Sequence, residues 1–292
     1  MSKILIPVDF TATSRNNIQY AMQLAKETGQ DIEMLHVIQV DYPSYGQLYP
    51  MDPMANPSAT DGLAPVNIKK SEENARKAYD KLLKELEFSK PDNIKLDTSI
   101  RSGLYPDVIN KESARKEITL VLLGGTAHEE SNSSLGPDGI QMLFEGAACP
   151  VMVLSPQAKF KKINNILYAS DLQKEDIDSL KELSAFASHF KSRILALHIN
   201  DNPDFKERIE EKGFNELVQQ KVGYPGIKVV CMSSDKVAKS IANYAHNTEA
   251  DLIALLKENK GFWKTLFGKS TSEQLMKETE IPLMIFNQEN KI

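Results

Sequence analysis

Short apolar runs alternate with amphipathic stretches along the whole chain. Lys3-Ile4-Leu5-Ile6-Pro7-Val8 reads as a strand, and Ile18, Ala21, Met22 and Ala25 then recur at helical spacing before Gly29, placed where a left-handed helix stop belongs. Met34-Leu35-His36-Val37 is a second apolar strand. Ile94, Leu96, Thr98 and Ile100 alternate as a half-buried strand does, and a helix is expected from about Pro106 to Lys116. Leu120 to Leu123 and Pro150 to Leu154 are further strands.

The same order then recurs. Asn165-Ile166-Leu167-Tyr168-Ala169-Ser170-Asp171 aligns with the segment ending in Asp9, and the displacement that carries Asp9 onto Asp171 also carries His36 onto His198. Leu180, Leu183, Ala187 and Phe190 repeat the helical stripe, Ile227 to Met232 reads as a strand, and Val237, Ile241 and Tyr244 share one helix face. Leu252 to Leu255 and Pro282 to Phe286 repeat Leu120 to Leu123 and Pro150 to Leu154. Their displacement is shorter by about thirty residues, so the first copy carries an insertion. It is visible as Asp41 to Pro65, rich in proline and holding Tyr42, Tyr45 and Tyr49. The expected division is a first domain over 1–155 with an insertion at about 41–66, a polar and basic linker over 156–164, and a second domain over 165–287. Strands alternating with helices make this an α/β chain of two doubly wound, parallel-sheet domains in tandem.

Composition narrows the function classes. The chain has 292 residues, 41% of them apolar and 26% charged, with a formal net charge of −5. That balance gives no basic field for a phosphate backbone and argues against nucleic acid as a partner. Cys149 and Cys231 are the only cysteines, which fits a reducing compartment. With no basic leader at the start and no run of 18 apolar residues, a membrane is not expected and the cytoplasm is the expected location.

In an open parallel sheet the ligand crevice lies beyond the carboxyl ends of the strands. Asp9 and Asp171 end the first strand of each copy, so each carboxylate has two readings. It meets a ribose hydroxyl or an adenine amine, or it caps the helix that follows. Gly124-Gly125-Thr126 follows the fourth strand, and the small, polar stretch from Ser131 to Gly139 leads into a helix, an arrangement able to cradle phosphate with backbone N–H groups. Neither the P-loop spacing nor GxGxxG occurs. His36 and His198 lie on apolar strands and read as satisfied core residues, and Cys149 as a buried structural thiol. No Cys/His cluster has zinc spacing, and a receiver-type phosphoacceptor is countered by Arg101 near the end of the third strand.

Taken together, KILIPVDF, LHV, the glycine turn and CPVMVL resemble a universal stress protein domain, and NILYASD, LHI and IPLMIF resemble a more divergent one. The resemblance implies a Rossmann-like, adenine nucleotide alpha hydrolase-like fold for each half. It also implies that the apolar strands Val151 to Leu154 and Leu283 to Phe286 pair as an intrachain pseudo-dimer, since such edges must be covered. A further homodimer is compatible with it. Nucleotide-binding members of that family carry Gly, two residues, Gly, nine residues, Gly and Ser or Thr after the fourth strand. The corresponding positions here hold Gly124, Ala127, Pro137 and Asp138, and in the second copy Leu256, Asn259, Lys269 and Ser270. Pro137 has no N–H to offer a phosphate, and Asp138 sets a like charge against it. Ser270 also fits an S-x-x-E capping box with Glu273, and the bulk of Phe262, Trp263, Leu266 and Phe267 has two readings: ordinary packing under a loop or at an interface, or side chains that occupy the space a nucleotide would fill.

Pro7, Val8, Asp9, Val37, Gly124 and Gly125 match the family's contact positions and form a candidate degenerate nucleotide site. The resemblance therefore implies a non-enzymatic stress-response or regulatory role through a protein partner, with no catalytic residue, no metal, a degenerate nucleotide site in the first half and none in the second. The alternative is an ATP- or AMP-binding switch, or a slow ATPase, using the first-half site.

Overall fold

The structure is a computed structural model that describes residues 2–40, 68–87, 89–124, 142–144, 146–155, 157–200, 205–257 and 280–287. The insertion at 41–66, Gly125, Ala127, Pro137, Asp138, Asn259, Phe262, Trp263, Leu266, Phe267, Lys269 and Ser270 lie outside those residues.

The first half runs β1 (Lys3–Pro7), α1 (Ala12–Thr28), β2 (Asp31–Gln39), α2 (Ile68–Leu86), β3 (Leu96–Gly103), α3 (Tyr105–Ser113), β4 (Ile118–Gly124) and β5 (Val151–Leu154). The second runs β6 (Asn165–Ala169), α4 (Asp176–Ser188), β7 (Arg193–Asn200), α5 (Phe205–Lys221), β8 (Ile227–Ser233), α6 (Val237–Asn247), β9 (Leu252–Lys257) and β10 (Leu283–Asn287). All ten strands form one sheet in the order β3-β2-β1-β4-β5-β10-β9-β6-β7-β8. Each half therefore has the same internal order, and the two orders meet head to head. Every neighbouring pair is parallel except β5 with β10, where Leu283, Met284 and Ile285 oppose Val153, Met152 and Val151 in antiparallel register. The apolar edge that each half would otherwise expose is covered by the other.

The apolar runs follow from burial on both faces. Ile4 and Ile6 join a core that also contains Met152, Ile166, Tyr168 and Met284, while the intervening Leu5 joins Val121, Val151, Leu167, Leu283 and Ile285 on the opposite face. Both cores thus cross the β5–β10 seam without a break. At the start of α1 the Thr11 hydroxyl accepts the Ser14 N–H, and at its end Gly29, at φ 69°, donates its N–H to the Ala25 carbonyl.

Some boundaries differ from expectation. α3 ends at Ser113, Ile94 precedes β3, and Phe190 lies past the end of α4 while still packing into the core. Residues 157–164 pack against both halves, since the Ile163 carbonyl accepts from Ser192 Oγ at 2.5 Å and Asn164 N–H donates to Asp251 Oδ2 at 2.8 Å. Asn16 Nδ2 donates to the Ala158 carbonyl, Phe160 meets Tyr20 edge-on at 5.3 Å, and Ile163 is fully buried.

Candidate functional site

The polar groups at the carboxyl end of β1 are already engaged. Val8 N–H donates to the Leu35 carbonyl at 2.8 Å, and the Val8 carbonyl accepts from His36 Nδ1 at 2.7 Å. A carbonyl can only accept, so that ring nitrogen carries the proton. The chain then turns through Phe10, whose φ of 62° is uncommon for a residue with a side chain. Asp9 Oδ1 accepts from Thr11 N (3.1 Å), Thr11 Oγ1 (2.6 Å) and Ser14 Oγ, while Asp9 N–H donates to Ser14 Oγ at 3.1 Å. Of the two readings of Asp9, helix entry is the one this geometry shows. The Phe10 ring lies over the turn, 4.9 Å from His36 and 5.0 Å from Tyr79. Tyr105, at the start of α3, is raised well above the ordinary tyrosine range by burial and by the Asp9 charge.

Pro7, Val37 and Gly124 lie toward the carboxyl ends of the adjacent strands β1, β2 and β4, and Val8 and Asp9 in the turn that follows β1; Gly125 lies outside the described residues. Pro7, Val8 and Val37 have buried side chains, and Gly124 has a packing reason of its own. A Cβ there would stand 2.5 Å from Asn17 Nδ2 and 2.9 Å from Thr13 Cγ2. The two histidines are satisfied, but each is half-buried at the strand ends and neither is a core residue. Burial pushes the Cys149 thiol up to about 12.

The second half repeats this turn in detail and changes one thing. Ser170 N–H donates to Leu197, the Ser170 carbonyl accepts from His198 Nδ1 at 3.0 Å, and Leu172 has φ 56°. The counterpart of Ser14, however, is Asp176, which is fully buried. Its Oδ1 accepts from Tyr168 OH at 2.5 Å, and its Oδ2 accepts from Ser170 Oγ (2.8 Å), Asp171 N (3.1 Å) and Gln173 N (3.1 Å). The carboxylate that organises the turn has moved from the strand end to the helix start. Asp171, the counterpart of Asp9, is left out of the turn and lines a cavity of about 590 Å³ with His198, Asn200, Glu210, Ser234 and Asp235.

Phe262, Trp263, Leu266 and Phe267 lie outside the described residues, and the sequence reading did not single out Asp176. The signal was present: aligning the two copies sets an aspartate against the capping Ser14.

Burial, and then the neighbouring Asp176 charge, raise the Asp171 carboxyl from 3.8 to about 6. A carboxyl whose folded pKa lies above its unfolded value weakens the fold once pH rises through that window. Asp171→Asn is therefore expected to stabilise the protein at pH 7.5 by about 1 kcal/mol, discounted for partial exposure, which is a Tm rise of about 2–4 °C. The gain should vanish by pH 4. A Tm difference that is the same at both pH values would exclude a titrating Asp171 as the cause.

The universal stress protein family model matches residues 1–155. Among solved structures, a universal stress protein from Archaeoglobus fulgidus DSM 4304 superposes with a TM-score of 0.68 at 17% identity, covering 98% of this chain and 96% of that one. A putative universal stress protein from Pseudomonas aeruginosa UCBPP-PA14 gives a TM-score of 0.57 at 16% identity, over 98% of this chain and 93% of that one. The cytoplasmic domain of a prokaryotic cation chloride cotransporter gives 0.53 at 11% identity, over 97% and 94%. At these identities the likeness is one of fold. No curated protein matches the chain in sequence.

Proposed function

Because the chain belongs to the universal stress protein family, we propose that it serves the stress response by engaging protein partners in the cytoplasm, without catalysing a reaction. The second half, in this reading, is a divergent domain of the same family. The repeated turn supports this, since a histidine-to-carbonyl bond and a left-handed residue recur at matching positions in both halves. Both cysteines are free, and no helix among the described residues is long and apolar enough to cross a membrane.

The observation that carries the nucleotide-poor reading is the engagement of the first-half crevice. Val8 N–H is donated to Leu35, its carbonyl already accepts from His36 Nδ1, and Asp9 Oδ1 is committed to α1. An adenine arriving there would have to displace bonds the protein already makes, and only interactions left over contribute to affinity. The sequence adds Pro137 and Asp138 where the family's binding members carry Gly and Ser or Thr.

Thermal titration of the full chain with ATP, ADP and AMP to millimolar concentration, with Mg²⁺, tests this. No saturable shift in Tm is expected. A ligand at 100 times its Kd stabilises by about 2.7 kcal/mol, roughly 5–10 °C for a chain of this size. A saturable shift of that order with ATP would put the ATP- or AMP-binding switch, or the slow ATPase, in first place.

A further inference from the structure

We propose that β3, the outer strand of the first half, pairs edge to edge with β3 of a second copy of this chain. The sheet ends at β3 on one side and at β8 on the other. An open edge offers a row of unpaired backbone groups, which proteins ordinarily blunt with lysine, proline, a bulge or a very short strand. β3 runs beside β2 in unbroken register over eight positions, Leu96 to Gly103, and contains neither lysine nor proline.

Its outward groups follow from the ladder. Ile32 N–H donates to the Lys95 carbonyl, so Lys95, Asp97, Ser99 and Arg101 turn their backbone groups toward β2, while Leu96, Thr98, Ile100 and Ser102 turn theirs away from the sheet. The Ile100 carbonyl accepts from Arg101 Nη1 at 3.1 Å, as a group on the open side can. Among the described residues no other strand covers this row.

Charge selects a second copy as the occupant and fixes its register. Asp97 and Arg101 lie on one face of β3, with side chains 50% and 45% exposed. Two copies related by a two-fold axis pair antiparallel, as β5 and β10 do within the chain. Outward residues must then exchange hydrogen bonds with outward residues. With Thr98 opposite the second copy's Ile100, each Asp97 faces the other copy's Arg101 at a position where cross-strand side chains lie about 4.5–5.5 Å apart. A slip of two residues one way sets Arg101 against Lys95, and the other way against Ser99. Asp97 holds Lys3 at 2.8 Å and Arg101 Nε holds Glu112 at 2.8 Å, so the junction completes an alternating row of Lys3, Asp97, Arg101 and Glu112. β8 carries Lys228 as its one charge, and self-pairing there brings no opposite charges together.

Sedimentation equilibrium of the full chain from about 1 to 100 µM tests the proposal. The parent, of 32.7 kDa, is expected to approach twice that mass as concentration rises, less readily at high salt. Thr98→Pro removes an outward donor and no bond to β2, so it should keep the parent's circular dichroism and weaken association about tenfold or more. Asp97→Arg and Arg101→Asp each set like charges against one another and should be monomeric alone. Mixed in equal amounts they should dimerise, because every junction then opposes an arginine to an aspartate. Both residues are exposed, so these variants keep the test open if proline disturbs the strand. A parent that stays monomeric throughout overturns the proposal, as does a parent dimer that persists undiminished in Asp97→Arg. A mixture that stays as monomeric as its components overturns it too.

Discussion

Asp176→Ala is expected to destabilise the protein by about 3–5 kcal/mol, the range found when a buried polar network loses its central acceptor. Four donors converge on this one carboxylate: Tyr168 OH, Ser170 Oγ, and the N–H groups of Asp171 and Gln173. Tyr168 and Asp176 are both fully buried and Ser170 is 2% exposed, so water has little access to the two hydroxyl donors once the carboxylate is removed. Asp176→Asn keeps one acceptor for Tyr168 but turns an NH₂ group toward two backbone donors, so a loss of about 2 kcal/mol or more is expected there as well. Asp176→Ser is the informative rescue. It restores the residue found at Ser14 in the first half, and Asp171 is then placed to accept from the new hydroxyl as Asp9 does. The serine variant should therefore lie between parent and alanine in urea-unfolding midpoint. An alanine variant within about 1 kcal/mol of the parent would show that the turn does not depend on this carboxylate.

That exchange also marks the limit of what the sequence discloses. Runs such as Ile4-Leu5-Ile6 are legible because a strand of a parallel sheet is buried on both faces and so contains no polar alternation. The seam was legible for a related reason: Val151 to Leu154 and Leu283 to Phe286 are too apolar to stand at an open edge, and pairing them closes both. The roles of Asp9 and Asp171 were not legible from either residue alone. Both end a first strand, and which one is free depends on a residue five positions on, where Ser14 and Asp176 differ by a charge.

His36 and His198 were misplaced in depth because an apolar neighbourhood in sequence does not say how near the strand end lies. Each sits where its ring reaches the carbonyl of Val8 or Ser170. The lysines of the stretch after Ser155 are legible as the connection between the halves, whereas the packing of Ala158, Phe160 and Ile163 into the core shared by both halves is not.

The other large effect lies at the opposite end of the first-half strands. Arg115 holds Glu33 with both guanidinium arms, Nη1 to Oε1 at 2.7 Å and Nη2 to Oε2 at 3.0 Å, and also reaches Glu112 at 2.7 Å and Glu117 at 2.6 Å. It thereby ties β2 to the end of α3 and the start of β4. The Glu33 side chain is 5% exposed, and without Arg115 its remaining cation is Lys3 at 3.4 Å, which is closer to Asp97. Arg115→Ala is expected to cost about 3–5 kcal/mol, because it strands a buried charge. Arg115→Lys should recover part of this but not the two-armed geometry.

The pH dependence is the sharper readout. Burial alone would raise the Glu33 carboxyl, but the hydrogen bonds and charge of Arg115 hold it below 4.5. A carboxyl depressed in the folded state contributes stability that is present above its unfolded pKa and is lost as pH falls through the folded value, so the parent gains nothing from this site between pH 7 and 5. In Arg115→Ala the burial is opposed only by Lys3 and Ser99, and the sign reverses. The variant should then recover stability as pH falls from 7 to 5, as the stranded carboxylate takes up a proton. Urea midpoints at the two pH values measure this directly. A deficit that stays constant or widens on acidification would mean that Arg115 acts through its packing and not through the charge of Glu33.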